Sequence, residues 1–265
     1  MTAWEARLSA FWVRRLLRRP ILFRDRYGLC YRLSPTDDLE LYFRHRGWFE
    51  VAEQEFCRSY LQPGMTAFDV GAYLGVYTAL MAKLVGPEGR VHAFEPLSEA
   101  YRRLLDTIRL NGLTNVAANR QAVFSRSKGF PLFCYGAPWE SLSSLVHREL
   151  VREGKRLFPV AEEPVQAISL DEYCEQHAVG RIDFLKLDVE GVEGEVLEGA
   201  QALLRRGAIR CLLFEVGTGI DQVLDCLKRA GFRLFAIKDG SLKEVEEAEV
   251  RALRNVVALL EQEGR

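Results

Sequence analysis

The sequence predicts an α/β fold: a mostly parallel seven-stranded sheet with helices on both faces, preceded by an N-terminal helical and β cap. Three observations predict it. From Met65 onward, short apolar runs of strand length alternate with helix-length runs, the pattern of a parallel sheet covered on both sides. A glycine-bearing turn, Asp69-Val70-Gly71-Ala72-Tyr73-Leu74-Gly75, joins the first strand to the first helix. An acidic residue, Glu95, ends the second strand, roughly 20 residues past that turn.

The strands are expected over residues 66–70, 90–95, 116–124, 182–189, 209–216, 232–237 and 255–260, each an apolar or β-branched run bounded by turn residues. Helices fit at 74–85, 98–110, 193–204 and 221–230. Residues 128–135 and 164–168 read as extra strands between the third and fourth core strands. A charged link precedes the last strand. Ahead of all this, residues 4–19 form a basic amphipathic pattern. Trp4, Leu8, Phe11 and Trp12 oppose arginines, and Pro20 ends the run. Short strands at 27–33 and 39–43 and a helix at 49–61 follow. Gln62-Pro63-Gly64 then breaks the chain. The division is a cap over 1–62 and a cofactor-binding domain over 63–265. The 4–19 helix can pack on its own domain, on a second subunit in an oligomer, or on an anionic membrane surface.

Composition sets limits. The 265 residues are 48% hydrophobic, enough for a sizeable core, and carry 36 Lys and Arg against 37 Asp and Glu, a net charge of -1. A nucleic-acid partner, which needs a basic footprint, is not expected. The six cysteines have no metal-finger spacing and read as buried reduced thiols. The apolar run 8–13 precedes its arginines, the reverse of a secretory signal, and no stretch approaches the length of a membrane span. A cytoplasmic location is expected.

The turn at Gly71 permits close backbone approach by a ligand, and Gly75 lets the helix pack near the strand. The spacing is GxxxG rather than the GxGxxG of dinucleotide folds. Glu95, followed by Pro96, is placed to accept hydrogen bonds from ribose hydroxyls. Asp69 would repel a pyrophosphate but suits a cationic ligand, to whose ammonium it could turn. This favours a sulfonium cofactor over a dinucleotide. On the fourth strand, Lys186, Asp188 and Glu190 alternate onto one face. Ligands of open α/β sheets bind at strand carboxyl ends, so Asp188 and Glu190, with Glu215 ending the fifth strand, are the candidate catalytic groups. A structural Lys186–Asp188 ion pair is the competing reading.

The series Asp69-Val70-Gly71-Ala72, Phe94-Glu95-Pro96, Ser169-Leu170-Asp171, Lys186-Leu187-Asp188-Val189-Glu190-Gly191 and Phe214-Glu215 resembles the FkbM family of methyltransferases. The resemblance runs from about residue 48 to 216. It implies a class I methyltransferase, Rossmann-like fold, S-adenosylmethionine as cofactor, and a hydroxyl acceptor on a sugar, lipid, polyketide or other small molecule. Tyr73 departs from the family, which commonly has Asn there. The cofactor contacts expected are Asp69, Gly71, Ala72, Tyr73, Gly75, Glu95, Pro96, Asp188 and, on the third strand, Ala122. A required divalent metal is not expected, although carboxylates on neighbouring strand ends could hold one. His92 reads as packing, and His147 and His177 as surface residues. The serine-rich run 139–145 is either an ordinary turn or a lid. Two rival functions stand beside this one: a nicotinamide-dependent oxidoreductase, and a non-catalytic partner or membrane-surface module.

Overall fold

The computed structural model describes residues 20–34, 50–135, 139–152, 154–238 and 240–261. The expected helix at 4–19 and strand at 39–43 lie outside the described residues. The first described residues form a hairpin, β1 (Ile21–Arg24) and β2 (Cys30–Leu33), whose turn holds Tyr27, and the next described element is helix α1 (Val51–Tyr60). Then come β3 (Thr66–Val70), α2 (Val76–Val85), β4 (Arg90–Phe94), α3 (Ser98–Leu110) and β5 (Val116–Asn119). An insertion follows: β6 (Ala122–Val123), β7 (Lys128–Cys134), a 3-10 turn at Glu140–Leu142, β8 (Leu150–Arg152), β9 (Lys155–Leu157) and β10 (Ala161–Ile168). The second half comprises α4 (Leu170–Gln176), β11 (Phe184–Leu187), α5 (Glu193–Glu198), α6 (Gln201–Arg205), β12 (Cys211–Glu215), α7 (Ile220–Arg229), β13 (Phe232–Lys238), β14 (Ser241–Glu244), α8 (Glu247–Val250) and β15 (Asn255–Leu260).

The main sheet runs β14-β13-β15-β12-β11-β3-β4-β5. The seven expected strands are all in it, with β14 added at the edge. From β12 through β5 the pairs are parallel, whereas β15 runs antiparallel between β12 and β13. This is the Rossmann-like α/β architecture expected. Alternation sends Leu185, Leu212 and Phe214 to one face, against α4, α5, α6 and α7. Phe184, Cys211 and Leu213 go to the other, where α1, α2 and the β1–β2 hairpin pack. With both faces covered, β11 is buried along its whole length.

Three departures from expectation have local causes. The third strand stops at Asn119, whose side-chain amide donates to the Ala93 and Ala117 carbonyls at 3.1 Å. Ala122 and Val123 leave the main sheet and pair with β10 instead. The helix expected at 193–204 breaks at Gly199, where a Cβ would stand 2.3 Å from the Phe124 carbonyl oxygen. The second piece, α6, receives its own cap: the Asp171 carboxylate accepts the Ala202 and Leu203 N–H groups at 2.8 and 2.9 Å. Helix α4 starts at Ser169, whose hydroxyl accepts the Glu172 N–H, an N-cap the sequence pattern did not reveal. All six cysteines are free, and among the described residues no helix is long and apolar enough to cross a membrane.

Candidate active site

Parallel strands point their carboxyl ends at one rim, so β3, β4, β11 and β12 deliver Gly71, Glu95, Asp188 and Glu215 to the same place. A cavity of about 220 Å³ opens there. Its floor is built by Gly71, Tyr73, Glu95 and Ala122, and its acidic side by Asp188, Glu190 and Glu215. Pro96 also lines it. The serine-rich run contributes residues 141–145 as a wall. Asp69, Ala72 and Gly75 stand outside the lining.

The glycine turn has a further reason beside the tight turn and open backbone expected of it. Gly71 has φ +86, and a Cβ there would lie 1.8 Å from the Asp188 carbonyl oxygen. The Asp188 N–H in turn donates to the Val70 carbonyl at 3.0 Å. Gly71 is therefore demanded by the crossing of two loop backbones, not by a ligand's approach along its missing side chain. Gly75, at φ +87, faces Leu104 of α3 and serves helix packing. Asp69 is buried; one oxygen accepts the Thr78 hydroxyl at 2.5 Å and the other, Oδ1, has no partner. It is turned into the protein behind the cavity rather than towards it.

Glu95 is buried at the cavity floor. Its Oε2 accepts the Tyr73 N–H at 2.8 Å and its Oε1 the Leu97 N–H at 2.9 Å. Burial pushes its carboxyl up to about 7 against those two hydrogen bonds. Each oxygen keeps a second lone pair for an outside donor. Tyr73 itself sits at φ 49, and its hydroxyl accepts from Arg103 at 3.3 Å.

Each acid of the cluster meets a cation. Lys186 Nζ lies 2.9 Å from Asp188 and over the Tyr77 ring. Burial works against the Asp188 carboxylate, but Lys186 outweighs it and holds the carboxyl below its ordinary range. Arg148, from the insertion, donates to Glu190 at 2.7 Å. Arg254 approaches Glu215 at 3.5 Å and Glu50 at 3.2 Å. Burial, then the neighbouring Asp188 charge, pushes Glu190 up to about 7 and Glu215 up to about 8. Ligand oxygens of Asp188, Glu190 and Glu215 all lie within 4.8 Å of one another. Such a trio could hold a hard cation, yet Lys186, Arg148 and Arg254 already neutralise it side by side.

Three contributors went unseen in the sequence. Arg254 precedes an antiparallel strand, whose start, not its end, reaches this rim. Arg148 lies in the insertion, between β7 and β8. Glu50 comes from the segment before α1 and accepts from the Tyr77 hydroxyl at 2.8 Å; no local pattern marks it. The three histidines among the described residues stay outside the cavity. His92 bonds the Tyr173 hydroxyl at 2.8 Å and stacks on Phe68, His177 stacks on Tyr173, and His147 meets the Phe133 ring.

Residues 69–234 match the methyltransferase FkbM domain family. The chain is 26% identical over 229 residues to the AMB antimetabolite synthetase AmbE of Pseudomonas aeruginosa, covering 73% of this chain but 11% of that one. It is 26% identical over 220 residues to the 31-O-demethyl-FK506 methyltransferase FkbM of Streptomyces tacrolimicus, covering 73% and 82%. A protein-L-isoaspartate O-methyltransferase of Ignicoccus hospitalis is 32% identical over 39% of this chain and 51% of its own length. This chain thus spans a small part of AmbE and about half of the Ignicoccus protein. Among solved structures, the methyltransferase FkbM of Methylobacillus flagellatus KT is similar with a TM-score of 0.48 at 13% identity, over 83% of this chain and 52% of that one.

Proposed function

The chain belongs to the FkbM methyltransferase family, and on that premise we propose that it transfers the methyl group of S-adenosylmethionine to a hydroxyl of a sugar, lipid, polyketide or similar small molecule. One observation carries this reading: a single cavity joins the glycine turn and Glu95 to the Asp188, Glu190 and Glu215 carboxylates. The donor set fits the cofactor. It offers carboxylates, which suit ribose hydroxyls, an ammonium and a sulfonium, and its cations Lys186, Arg148 and Arg254 are each tied to one of those carboxylates rather than gathered for a pyrophosphate. That contrast also weighs against the nicotinamide alternative. The relatives' names for O-methyl transfer, in Streptomyces tacrolimicus and Ignicoccus hospitalis, support oxygen as the methylated atom.

When bound, S-adenosylmethionine supplies a methyl group already activated by the adjoining sulfonium. The chain's own residues then have two tasks. The first is binding: Glu95, held rigid by two backbone N–H groups, presents its remaining lone pairs to ribose hydroxyls, with Tyr73, Pro96 and Ala122 around the adenosine. The second is handling the acceptor's proton. Glu215, raised to about 8, is assigned as the base, because Asp188 is tied to Lys186 and Glu190 to Arg148 at shorter range than Glu215 is to Arg254. Asp188, kept ionised by Lys186, holds negative charge beside it and orients the acceptor or an ammonium. Glu190 closes the acidic side while tied to Arg148. In this assignment residues 63–265 form the cofactor-binding domain and 1–62 a cap that lends Glu50 to Arg254.

The test is calorimetry with S-adenosylmethionine, its demethylated product and NAD, followed by an acceptor screen with labelled methyl donor and location of the methyl group. We expect micromolar-range binding of the first two, the scale on which working enzymes hold small ligands. Binding of NAD alone would overturn the assignment, and a methyl group found on nitrogen or carbon would overturn its oxygen specificity.

A further inference from the structure

Helix α1 begins at a residue whose side chain does nothing for the helix. An N-cap is normally a short Ser, Thr, Asp or Asn that accepts a backbone N–H of the first turn. Glu50 holds this position and makes no such bond. Its backbone sits at φ 44 and ψ 59, the left-handed region that Gly, Asn and Asp tolerate best. Of the four described non-glycine residues at positive φ, three, Glu50, Tyr73 and Glu190, stand at the active site. Strain of this kind persists where the surroundings fix it, and it gathers at functional sites. The Glu50 side chain is 9% exposed and turns away from its helix. Its Oε2 accepts the Tyr77 hydroxyl at 2.8 Å. Its Oε1 lies 3.2 Å from Arg254 Nη2 and accepts the Asn255 side-chain amide at 3.4 Å. Lys186 Nζ stands over the same Tyr77 ring. Burial and the Asp188 charge push the Glu50 carboxyl up, against Lys186, Tyr77 and Arg254. Each of its partners is a donor, so the structure holds it as a carboxylate.

Arg254 is the shared element. Among the described residues that line the cavity it is the one cation. Its guanidinium is divided between two carboxylates: Nη2 lies 3.2 Å from Glu50 and Nε 3.5 Å from Glu215. Of the acids around it, Glu50 acts on it more strongly than Glu215 or Asp188. Glu215 in turn faces Asp188 and Glu190 from the loop after β11 and Arg254 from just before β15. Of these three, only Arg254 favours the charged form of Glu215.

We propose that Glu50 is a positioning residue for methyl transfer: it draws Arg254 off Glu215 and so leaves Glu215 able to take the acceptor's proton. This rests on the reading of Glu215 as the base; the coupling of Glu50 to Glu215 through Arg254 does not. Without the Glu50 charge, Arg254 keeps Glu215 as its ion-pair partner. A carboxylate paired with arginine is held in its charged form and is a poorer proton acceptor. The segment ahead of the cofactor-binding domain thus reaches the chemistry without touching the cavity, through one arginine.

The test is Glu50→Gln in the full chain, read in two ways. The first is NMR titration of the Glu215 carboxyl in protein isotope-labelled at its glutamate carboxyls, with the signal identified by its loss in Glu215→Gln. The second is the pH profile of labelled methyl transfer. We expect the Glu215 midpoint and the rising limb of the profile to move down together by about one pH unit, the low end of what a nearby opposite charge does to a carboxyl. In an Arg254→Gln background the same substitution should move the midpoint less than about half as far, because the intermediary is gone. Glu50→Asn and Glu50→Asp share one shape and suit left-handed backbone. They carry the test if thermal melts show Glu50→Gln unfolded, and the uncharged Asn should lower the midpoint further than Asp. A folded variant whose midpoint stays within about 0.2 pH units of wild type, or rises, overturns the proposal. A loss of melting temperature and turnover at an unmoved midpoint does the same and makes Glu50 merely structural. An equal shift in the Arg254→Gln background also overturns it, because the effect then bypasses Arg254. A chain whose Glu215 midpoint moves as expected but which transfers no methyl group keeps the coupling and loses the methyltransferase assignment.

Discussion

Replacing Glu215 by Gln probes the proposed chemistry directly. The side chain keeps its volume and its place at the end of β12 but can no longer take a proton. In the wild type the Glu215 carboxyl is pushed up to about 8, by burial first and by the Asp188 charge second. A base with that value is about one-tenth ionised at pH 7 and about nine-tenths ionised at pH 9. Turnover at saturating substrate should therefore rise about tenfold across those two pH units. Glu215→Gln should lower turnover by roughly 10²- to 10⁴-fold, the usual scale for a lost general base, and should abolish that rising limb. Asp188→Asn should move the limb to lower pH, because the negative neighbour that raises Glu215 is gone. Glu190, pushed up to about 7 in the same cavity, supplies the comparison: its charge also raises Glu215 but ranks below that of Asp188, so Glu190→Gln should shift the limb to lower pH by less than Asp188→Asn does while leaving a rising limb in place. The assay is initial-rate transfer of labelled methyl to the identified acceptor, with thermal melts confirming that each variant is folded. A Glu215→Gln enzyme with turnover within about twofold of wild type and an unchanged pH profile would refute the assignment of Glu215 as base.

Glu95→Ala should weaken S-adenosylmethionine binding by about 1.5–3 kcal/mol, the range for a charged hydrogen-bond acceptor, measured by calorimetry; unchanged affinity would remove Glu95 from the site. Because burial holds the Glu95 carboxyl near 7 rather than 4.5, its contribution to stability is fully present below about 4.5 and is lost as pH rises through about 7. Glu95→Gln should therefore flatten that part of the stability profile in urea titrations. Gly71→Ala should be far worse for folding than Gly75→Ala, since the first meets the Asp188 carbonyl oxygen and the second only the tip of Leu104. Urea midpoints that rank them the other way would refute the backbone-crossing argument. Chelator should leave turnover unchanged, because Lys186, Arg148 and Arg254 already neutralise the acid trio; loss of activity restored by magnesium would make that trio a metal site instead.

Much of the architecture was legible in one dimension because parallel sheets write a plain code. Strands buried on both faces are mostly apolar, crossover helices separate them, and the carboxyl ends of such strands converge on one edge by topology alone. That is enough to bring Glu95, Asp188, Glu190 and Glu215 to a common rim from the sequence alone. What each nearby residue does there was decided only by the third dimension. Asp69 is on the right strand but turns away from the cavity, because Thr78 and the protein interior claim it. Gly71 is a glycine because Asp188 passes 1.8 Å from where its Cβ would be, a constraint between positions more than a hundred residues apart. Arg254 reaches the rim because β15 runs against its neighbours, and strand direction leaves no mark on a run such as Asn255–Leu260. Glu50 and Arg148 arrive from the start of a helix and from an insertion, where no local pattern marks a charged residue as part of the site. Periodicity reports which face of an element is buried. Which charge stands beside which, and so whether a carboxyl sits below its ordinary range or near 8, depends on contacts between distant segments that no local pattern encodes.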